Sequence, residues 1–306
     1  MELALQASGS YETMLAAARW AEQRGLACFA IPDHYVLSLT EDGVSKPAHD
    51  AFALLAGLAR ETSSIRLSVM VSPITFRHPA VLAKSAFTID AMSGGRFTLG
   101  IGTGWLDLEH EIFGFRSPPM AERYRMMEEA LAYVRAMAAG EAFDGDHYSL
   151  QARDLNPGPS DGFEIVVGGR GPQKTPTLAG RYADEYNAYP APPEEFRARV
   201  SLARDEAAAA GAADHEGIGV AAGSVLVGRD EADYHRRLAA LAAERGRAPG
   251  ELEADFEARS TPRGSAESVR EQLKGLESLG VQRFYVQTMW SDDLELTAEV
   301  FDLLGG

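Results

Sequence analysis

An aspartate and a histidine, Asp33 and His34, stand side by side where the short apolar run Cys28–Ile31 ends at Pro32. An imidazole changes charge near neutral pH, so a pair of this kind suits a reaction that moves a proton beside a bound ligand. Other short apolar runs end in their own polar or glycine-rich residues. These are Gln6, then Met70-Val71-Ser72-Pro73, Gly102-Thr103-Gly104-Trp105, Gly168-Gly169-Arg170-Gly171, Asn187, Ser224, and Gln287 with Met289 and Trp290 beyond it. Collected on one rim, glycines, hydroxyls and aromatic rings suit a large planar ligand, with Trp105 and Trp290 able to wall an apolar pocket. The rim carries no second carboxylate to make the dyad of a glycosidase. The seven histidines are scattered, with no set at metal spacing, so no metal is expected. There is no G-x-S-x-G elbow and no Walker sequence.

Each of these residues also has a purely structural reading. His34 can hydrogen-bond within a loop, Asp33 can follow Pro32 as a turn residue, and Gly102-x-Gly104 can be a strand-to-helix turn. Trp105 and Trp290 can be packing residues. Arg77, Lys84 and Arg96 read as scaffold, with Arg96 at the far end of the strands, and Cys28 reads as an inert core residue.

The elements that must position the rim alternate. Apolar strand runs are expected at Leu3–Gln6, Cys28–Ile31, Arg66–Val71, Phe97–Ile101, Glu164–Val167, Glu185–Asn187, Ile218–Val227 and Arg283–Gln287. Helical spacing is expected over Tyr11–Arg24, His49–Arg60, Pro79–Met92, Ala121–Ala139, Thr175–Tyr182, Glu194–Ala210, Asp230–Arg245, Ala266–Leu279 and Leu294–Leu304. Pro79 suits a first helical turn and Gly94-Gly95 a helix end. Eight such units with strands buried on both faces predict an α/β fold, a closed (β/α)8 TIM barrel with insertions over about 106–121 and 144–161. The competing architecture is an open doubly wound sheet, which the missing G-x-G-x-x-G after the first strand disfavours. In a barrel the strand ends face one side, where the chemistry sits. Residues 1–306 are read as one domain.

Composition narrows the partners. The 306 residues carry 29 Lys+Arg against 45 Asp+Glu, a net charge of −16, which disfavours nucleic-acid and anionic-membrane partners. A single cysteine excludes an intrachain disulfide framework and a multi-thiolate zinc site. The opening MELALQASGS lacks a basic segment followed by an apolar one, and no window approaches a spanning run, so the expectation is a cytosolic, cytoplasmic protein.

The stretch RLSVMVSPITFRHPAVLAKSAFTIDAMSGGRFTLGIGTGWLDLEHEIFG, from Arg66 to Gly114, strongly resembles the bacterial luciferase-like family of flavin and deazaflavin oxidoreductases. IPDHY at the second strand and VVGGRGPQKTPTLAGRYADEYN at the fifth and sixth extend the likeness, which weakens over Ala188–Gly264. The combination of SGGRFTLGIGTGW with FRHPAVLAK is specific, where each glycine pair alone is weak. The family fold is a (β/α)8 barrel with one large insertion. The Asp33-His34 pair resembles members that use coenzyme F420, an 8-hydroxy-5-deazaflavin, more than the FMN-using luciferases.

The resemblance implies that Asp33 contacts the cofactor ring and that His34 lies near the reacting carbon as the catalytic residue. It implies a non-proline cis peptide at Met70–Val71, forming with Ser72 a bulge under the ring, beside Thr103 and Gly104. The cofactor's phosphate would lie against Gly168, Gly169, Arg170 and Gly171 and the start of the next helix, with Lys174 nearby. Gln6, Trp105 and Trp290 would line the substrate pocket. Deazaflavin-dependent sugar-phosphate dehydrogenases of this family carry a glutamate where Trp105 stands, and a tryptophan where Ser38 stands. A less charged alcohol, carbonyl or activated alkene is therefore expected as substrate, and glucose 6-phosphate is not. A homodimer is expected. The alternatives are an FMN-dependent monooxygenase fed by a separate reductase, and a flavin- or deazaflavin-binding protein without turnover.

Overall fold

Runs of valine, isoleucine, leucine and alanine four to eight residues long form parallel strands, because each is covered on both faces. The structure, a computed structural model, describes residues 1–36, 48–211, 219–287 and 293–305. Eight strands close a barrel: Glu2–Gln6, Cys28–Ile31, Arg66–Pro73, Phe97–Gly102, Glu164–Gly169, Glu185–Ala188, Gly219–Gly223 and Arg283–Gln287. All neighbours are parallel, and the barrel closes where Leu3 pairs with Phe284 and Leu5 with Phe29. The α/β expectation of a (β/α)8 barrel holds.

The helices around it are α1 (Tyr11–Gln23), α2 (Ala51–Glu61), α3 (Pro79–Ser93), α4 (Asp107–Phe113), α5 (Met120–Ala139), α6 (Lys174–Tyr182), α7 (Pro193–Ala209), α8 (Glu231–Glu244), α9 (Pro249–Ala258), α10 (Ala266–Ser278) and α11 (Leu294–Leu304). Their starts follow local chemistry. Ser10 caps α1 by accepting from Thr13 N, Asp50 caps α2 by accepting from Ala53 N, and Pro79 opens α3, which Gly94 closes at φ 71°.

Period-two alternation sorts the strands into two faces. Leu5, Phe29, Leu67, Leu99, Val167, Tyr186 and Phe284 point outward into the helical layer. Ala4, Cys28, Ala30, Met70, Val166, Ala221 and Tyr285 fill the inside. Burial pushes the Cys28 thiol up to about 12, so it stays protonated and inert.

Two departures from the sequence expectation matter. The run expected as one strand, Ile218–Val227, divides at Ser224, which has φ 77°. Gly219–Gly223 stays in the barrel, while Leu226–Gly228 leaves it to pair in parallel with the short strand Arg263–Ser265. Leu226 buries in a satellite cluster with Tyr234, Leu238, Leu241 and Phe256, so the apolar pattern runs on through a break that periodicity does not register. The first insertion contains α4, and the second begins with a short antiparallel hairpin of Phe143–Asp144 and Ser149–Leu150. No helix among the described residues is long and apolar enough to cross a membrane.

Candidate active site

The site is built on a break in the third strand. The Met70–Val71 peptide is cis, and the pairing with the fourth strand shifts register between Val69 and Ser72. Gln6 Nε2 donates to the Met70 carbonyl at 2.8 Å, and Gln287 in turn donates to Gln6 Oε1. Polar ends of the first and last strands therefore hold the bulge from inside the barrel. The Val71 side chain lies over three glycines. A Cβ on Gly100, Gly102 or Gly168 would come within 3.0, 2.6 or 2.9 Å of a Val71 methyl, and one on Gly100 would lie 2.2 Å from the Val69 carbonyl oxygen. These glycines are needed by the bulge itself, before any ligand is considered.

Asp33 follows the second strand and is 0% exposed. Ser72 Oγ donates to its Oδ2 at 2.6 Å, and Arg77 donates to both carboxylate oxygens. The same guanidinium donates to Tyr35 Oη at 2.7 Å and to Asp50, and it lies 4.6 Å from the centre of the Phe52 ring. Burial pushes the Asp33 carboxyl upward while Arg77 and Ser72 oppose it; burial works against the Arg77 charge, but Asp33 and Asp50 hold that charge firmly on. Burial raises Tyr35 to about 12, so its hydroxyl stays protonated and donates to Asp50. Arg77, which reads as scaffold in the sequence, is the central donor of this network.

His34 meets other partners than Asp33, but not by the alternation of an extended strand: the strand ends at Ile31, and the His34 N–H donates to the Pro32 carbonyl at 3.2 Å, so the chain turns here. The His34 Nδ1 lies 2.8 Å from Glu109 Oε2, and its ring meets Trp105 edge-on at 5.8 Å between centroids. Glu109 Oε1 accepts from the backbone N–H groups of Tyr35, at 2.5 Å, and Val36, at 3.0 Å. Burial alone would raise the Glu109 carboxyl, but the His34 hydrogen bond and the two N–H groups hold it below the usual carboxylate range. Glu109 lies in α4, and α4 is fixed by its surroundings. Arg123, in the first turn of α5, donates to the carbonyls of Gly104 and Pro118, to Ser117 Oγ and to Asp107. His110 bridges Thr75 Oγ1 and the Leu106 carbonyl. Sequence reasoning missed Glu109 and Arg123. Seven residues of helix inside an irregular insertion carry too little periodicity to announce themselves, and a 75-residue separation hides the histidine–glutamate pair.

The fifth strand ends at Gly168-Gly169, and α6 begins at Lys174 with no side-chain cap. No side chain caps its first turn and Pro176 has no N–H, so the N–H groups of Lys174 and Thr175 are those an anion at this end would meet. A Cβ on Gly171 would fall 2.1 Å from Tyr124 Oη, whose hydroxyl pairs with Thr175 Oγ1 at 2.9 Å. Arg170 lies over the Tyr189 ring at 4.6 Å, and Lys174 Nζ is 5.8 Å from the centre of the Tyr124 ring. Glycine backbone, a helix start without a side-chain cap and two cations make a cradle suited to the phosphate end of a flavin or deazaflavin.

Asp33, His34, Thr103, Gly104 and Gly169 all sit at the C-terminal end of the barrel, together with the Met70–Ser72 bulge and the Arg170–Lys174 cradle. Gln6 is brought to the bulge, and Trp105, 69% exposed, stands at the rim beside His34. Trp290, Met289 and Ser38 lie outside the described residues. Among the described residues no group of histidine, cysteine and acidic side chains is arranged to hold a metal.

Comparison with known proteins agrees with the fold. Over 169 residues the chain is 32% identical to an F420-dependent glucose-6-phosphate dehydrogenase of Microbacterium testaceum, covering 54% of this chain and 49% of that protein. The chain spans about half the length of the curated relatives it matches. An F420-dependent secondary alcohol dehydrogenase, solved with an F420–acetone adduct, superposes with a TM-score of 0.80 at 20% identity, over 99% of this chain and 98% of that one. The oxygenating constituent of 3,6-diketocamphane monooxygenase from Pseudomonas putida, solved with FMN, superposes with a TM-score of 0.72 at 19% identity, over 99% and 96%. At such identities the likeness is one of fold. The luciferase-like monooxygenase family model matches residues 2–283, and the chain belongs to that family.

Proposed function

We propose that this protein is an oxidoreductase that transfers hydride between deazaflavin coenzyme F420 and a small neutral alcohol, carbonyl or activated alkene. The observation that carries the reading is a histidine held by a buried carboxylate, at the same barrel end as the bulge and the glycine-rich anion cradle. When bound, the deazaflavin accepts or gives a hydride at a ring carbon. The chain's own residues do the rest. The Met70–Ser72 bulge supports the ring, and the Gly168–Lys174 segment holds the phosphate end. The resemblance gives Asp33 a contact with the ring, but its side chain is fully buried and held by Arg77 and Ser72, so here it orients the backbone that carries His34 instead. In alcohol oxidation His34 Nε2 takes the hydroxyl proton as hydride leaves the adjacent carbon, which leaves a carbonyl product; reduction runs the same steps in reverse.

Trp105 supports an uncharged substrate, because it places an apolar ring beside His34. Apart from the cradle's Arg170 and Lys174, the cations on the His34 side are already engaged: Arg77 by Asp33 and Asp50, Arg123 by Asp107 and two carbonyls. We also infer a cytosolic homodimer, formed across the outward residues of α2 and α3, where Val81 is exposed. Light scattering at micromolar concentration that returns a monomer would remove the dimer.

Fluorescence titration of the apoprotein with coenzyme F420 and with FMN tests the cofactor. Turnover on a panel of alcohols and ketones then tests the reaction. Tight binding of FMN alone would move the protein to the monooxygenase reading. Binding of coenzyme F420 with no turnover on any class of substrate would favour a binding protein.

A further inference from the structure

We propose that Glu109 is a positioning residue that sets the tautomer of His34, keeping the proton on Nδ1 so that the lone pair of Nε2 faces the substrate. The inference rests on the proposed role of His34, and it follows from counting donors and acceptors around one buried carboxylate. Glu109 is 1% exposed. Its Oε1 is occupied by the N–H groups of Tyr35 and Val36, which are donors and nothing else. Its Oε2 is left to His34 Nδ1 at 2.8 Å. An ionised carboxylate only accepts, so Nδ1 must donate, and a neutral imidazole that donates from Nδ1 has its acceptor at Nε2.

Glu109 is the acidic group that faces the imidazole. The other charged and titratable groups packed around the pair are committed elsewhere among the described residues: Asp33 and Asp50 to Arg77, Asp107 to Arg123, and His110 to Thr75 and the Leu106 carbonyl. Tyr35 gives its hydroxyl to Asp50. Because both of its oxygens are engaged and it is sealed from solvent, Glu109 does not itself exchange a proton with substrate. It acts through His34. When Nε2 accepts the hydroxyl proton, the resulting imidazolium keeps its other N–H on Glu109, whose negative charge stabilises it; when the proton returns, the same tautomer is restored.

The carboxylate ties two tasks together. The two N–H groups fix the loop that carries His34, and the Nδ1 bond fixes the state of the ring. Glu109→Gln separates them. The two backbone donors demand an oxygen at the Oε1 position, which leaves the amide nitrogen facing Nδ1. That nitrogen can only donate, so Nδ1 must become the acceptor and the proton moves to Nε2. The variant keeps the loop contacts and inverts the ring.

The test is nitrogen NMR of protein labelled with 15N-histidine at about pH 8.5, with His34→Ala identifying the signal, beside thermal melts and kinetics. We expect the Nδ1–H tautomer in the unaltered protein, the Nε2–H tautomer in Glu109→Gln, and a melting temperature within a few degrees. For alcohol oxidation we expect kcat to fall about 10²-fold with coenzyme F420 affinity changed less than about threefold. Glu109→Asp, which keeps an acceptor at shorter reach, should retain Nδ1–H and recover part of the rate. An Nε2–H tautomer in the unaltered protein, or an unchanged tautomer in a folded Glu109→Gln, overturns the proposal. Failure of the protein to bind coenzyme F420 would instead overturn the functional reading while leaving the tautomer measurement valid.

Discussion

The two ends of the barrel use the same strands and the same alternation, yet they treat polar groups differently. At the N-terminal end Arg283 donates to Glu185 at 2.7 Å and to Glu2 at 3.1 Å, and Tyr285 donates to Glu185 at 3.3 Å. Nearby, Arg66 reaches Thr98, and Thr98 donates to Glu164. Arg96 donates to the carbonyls of Ala59, Thr62, Ser93 and Ile65. These charges meet partners within the chain, and they close the barrel. At the C-terminal end the fourth, fifth and seventh barrel strands finish in glycine, the third shifts register and α6 starts without a side-chain cap, while Asp33 is held by Arg77 and the His34 ring by Glu109. At one end polarity is spent on closing the barrel; at the other it is spent on fixing a carboxylate and an imidazole at the rim.

Breaking the N-terminal end should cost the most in stability and nothing in turnover per folded molecule. Arg283→Met leaves Glu185 buried without its cation, and we expect a loss of about 3 kcal/mol in urea unfolding with kcat unchanged. A variant as stable as the parent would show that the floor is not an ionic closure. Breaking the C-terminal end should do the reverse. His34→Ala should lower kcat by about 10²-fold or more, with coenzyme F420 affinity within a few-fold and stability nearly unchanged, read by steady-state kinetics beside a fluorescence titration. Full turnover in that variant would make His34 a loop residue.

Gly100→Ala probes the boundary between the ends. Its Cβ would press on the Val69 carbonyl and on Val71, so we expect a loss of about 1–3 kcal/mol together with weaker cofactor binding. Stability lost without any change in affinity would separate the bulge from the ligand.

The smallest effect is a pH dependence at the N-terminal end. Glu22 Oε1 accepts from the N–H groups of Ser63, Ser64 and Ile65 and from Ser64 Oγ. Against the upward push of burial these bonds bring its carboxyl down from 4.5 to about 2. A depressed carboxyl contributes stability that is present above its unfolded value and is lost as pH falls toward the folded one. The parent should therefore lose stability between about pH 4.5 and 2 more steeply than Glu22→Gln, as followed by thermal melts across that window. Parallel curves would remove Glu22 from the account.

Much of the fold and part of the site are legible in the order of the residues. Short runs such as Cys28–Ile31 and Phe97–Ile101 announce strands buried on both faces, because only a covered strand can be apolar without alternation. Pro79 and Gly94-Gly95 announce the ends of α3, because their backbone limits are local. The rim residues at the strand ends follow from chain order once a barrel is accepted, and the resemblance to luciferase-like proteins locates Met70–Val71 as well.

Local chemistry thus accounts for whatever depends on a residue and its near neighbours: the strands, the helix boundaries, the glycine-rich turns and the adjacency of Asp33 and His34. Only the closed barrel sets which groups those residues meet. No local signal assigns Arg77 to Asp33 across 44 residues, Glu109 to His34 across 75, or Val71 to the space above Gly100, Gly102 and Gly168. Nor does hydrophobicity mark the turn at Ser224, since Val227 is as buried outside the barrel as Val220 is within it. Hydrogen-bond partners and steric clearances are set by distances in space, and closing the barrel brings together residues whose separation along the chain carries no trace of it.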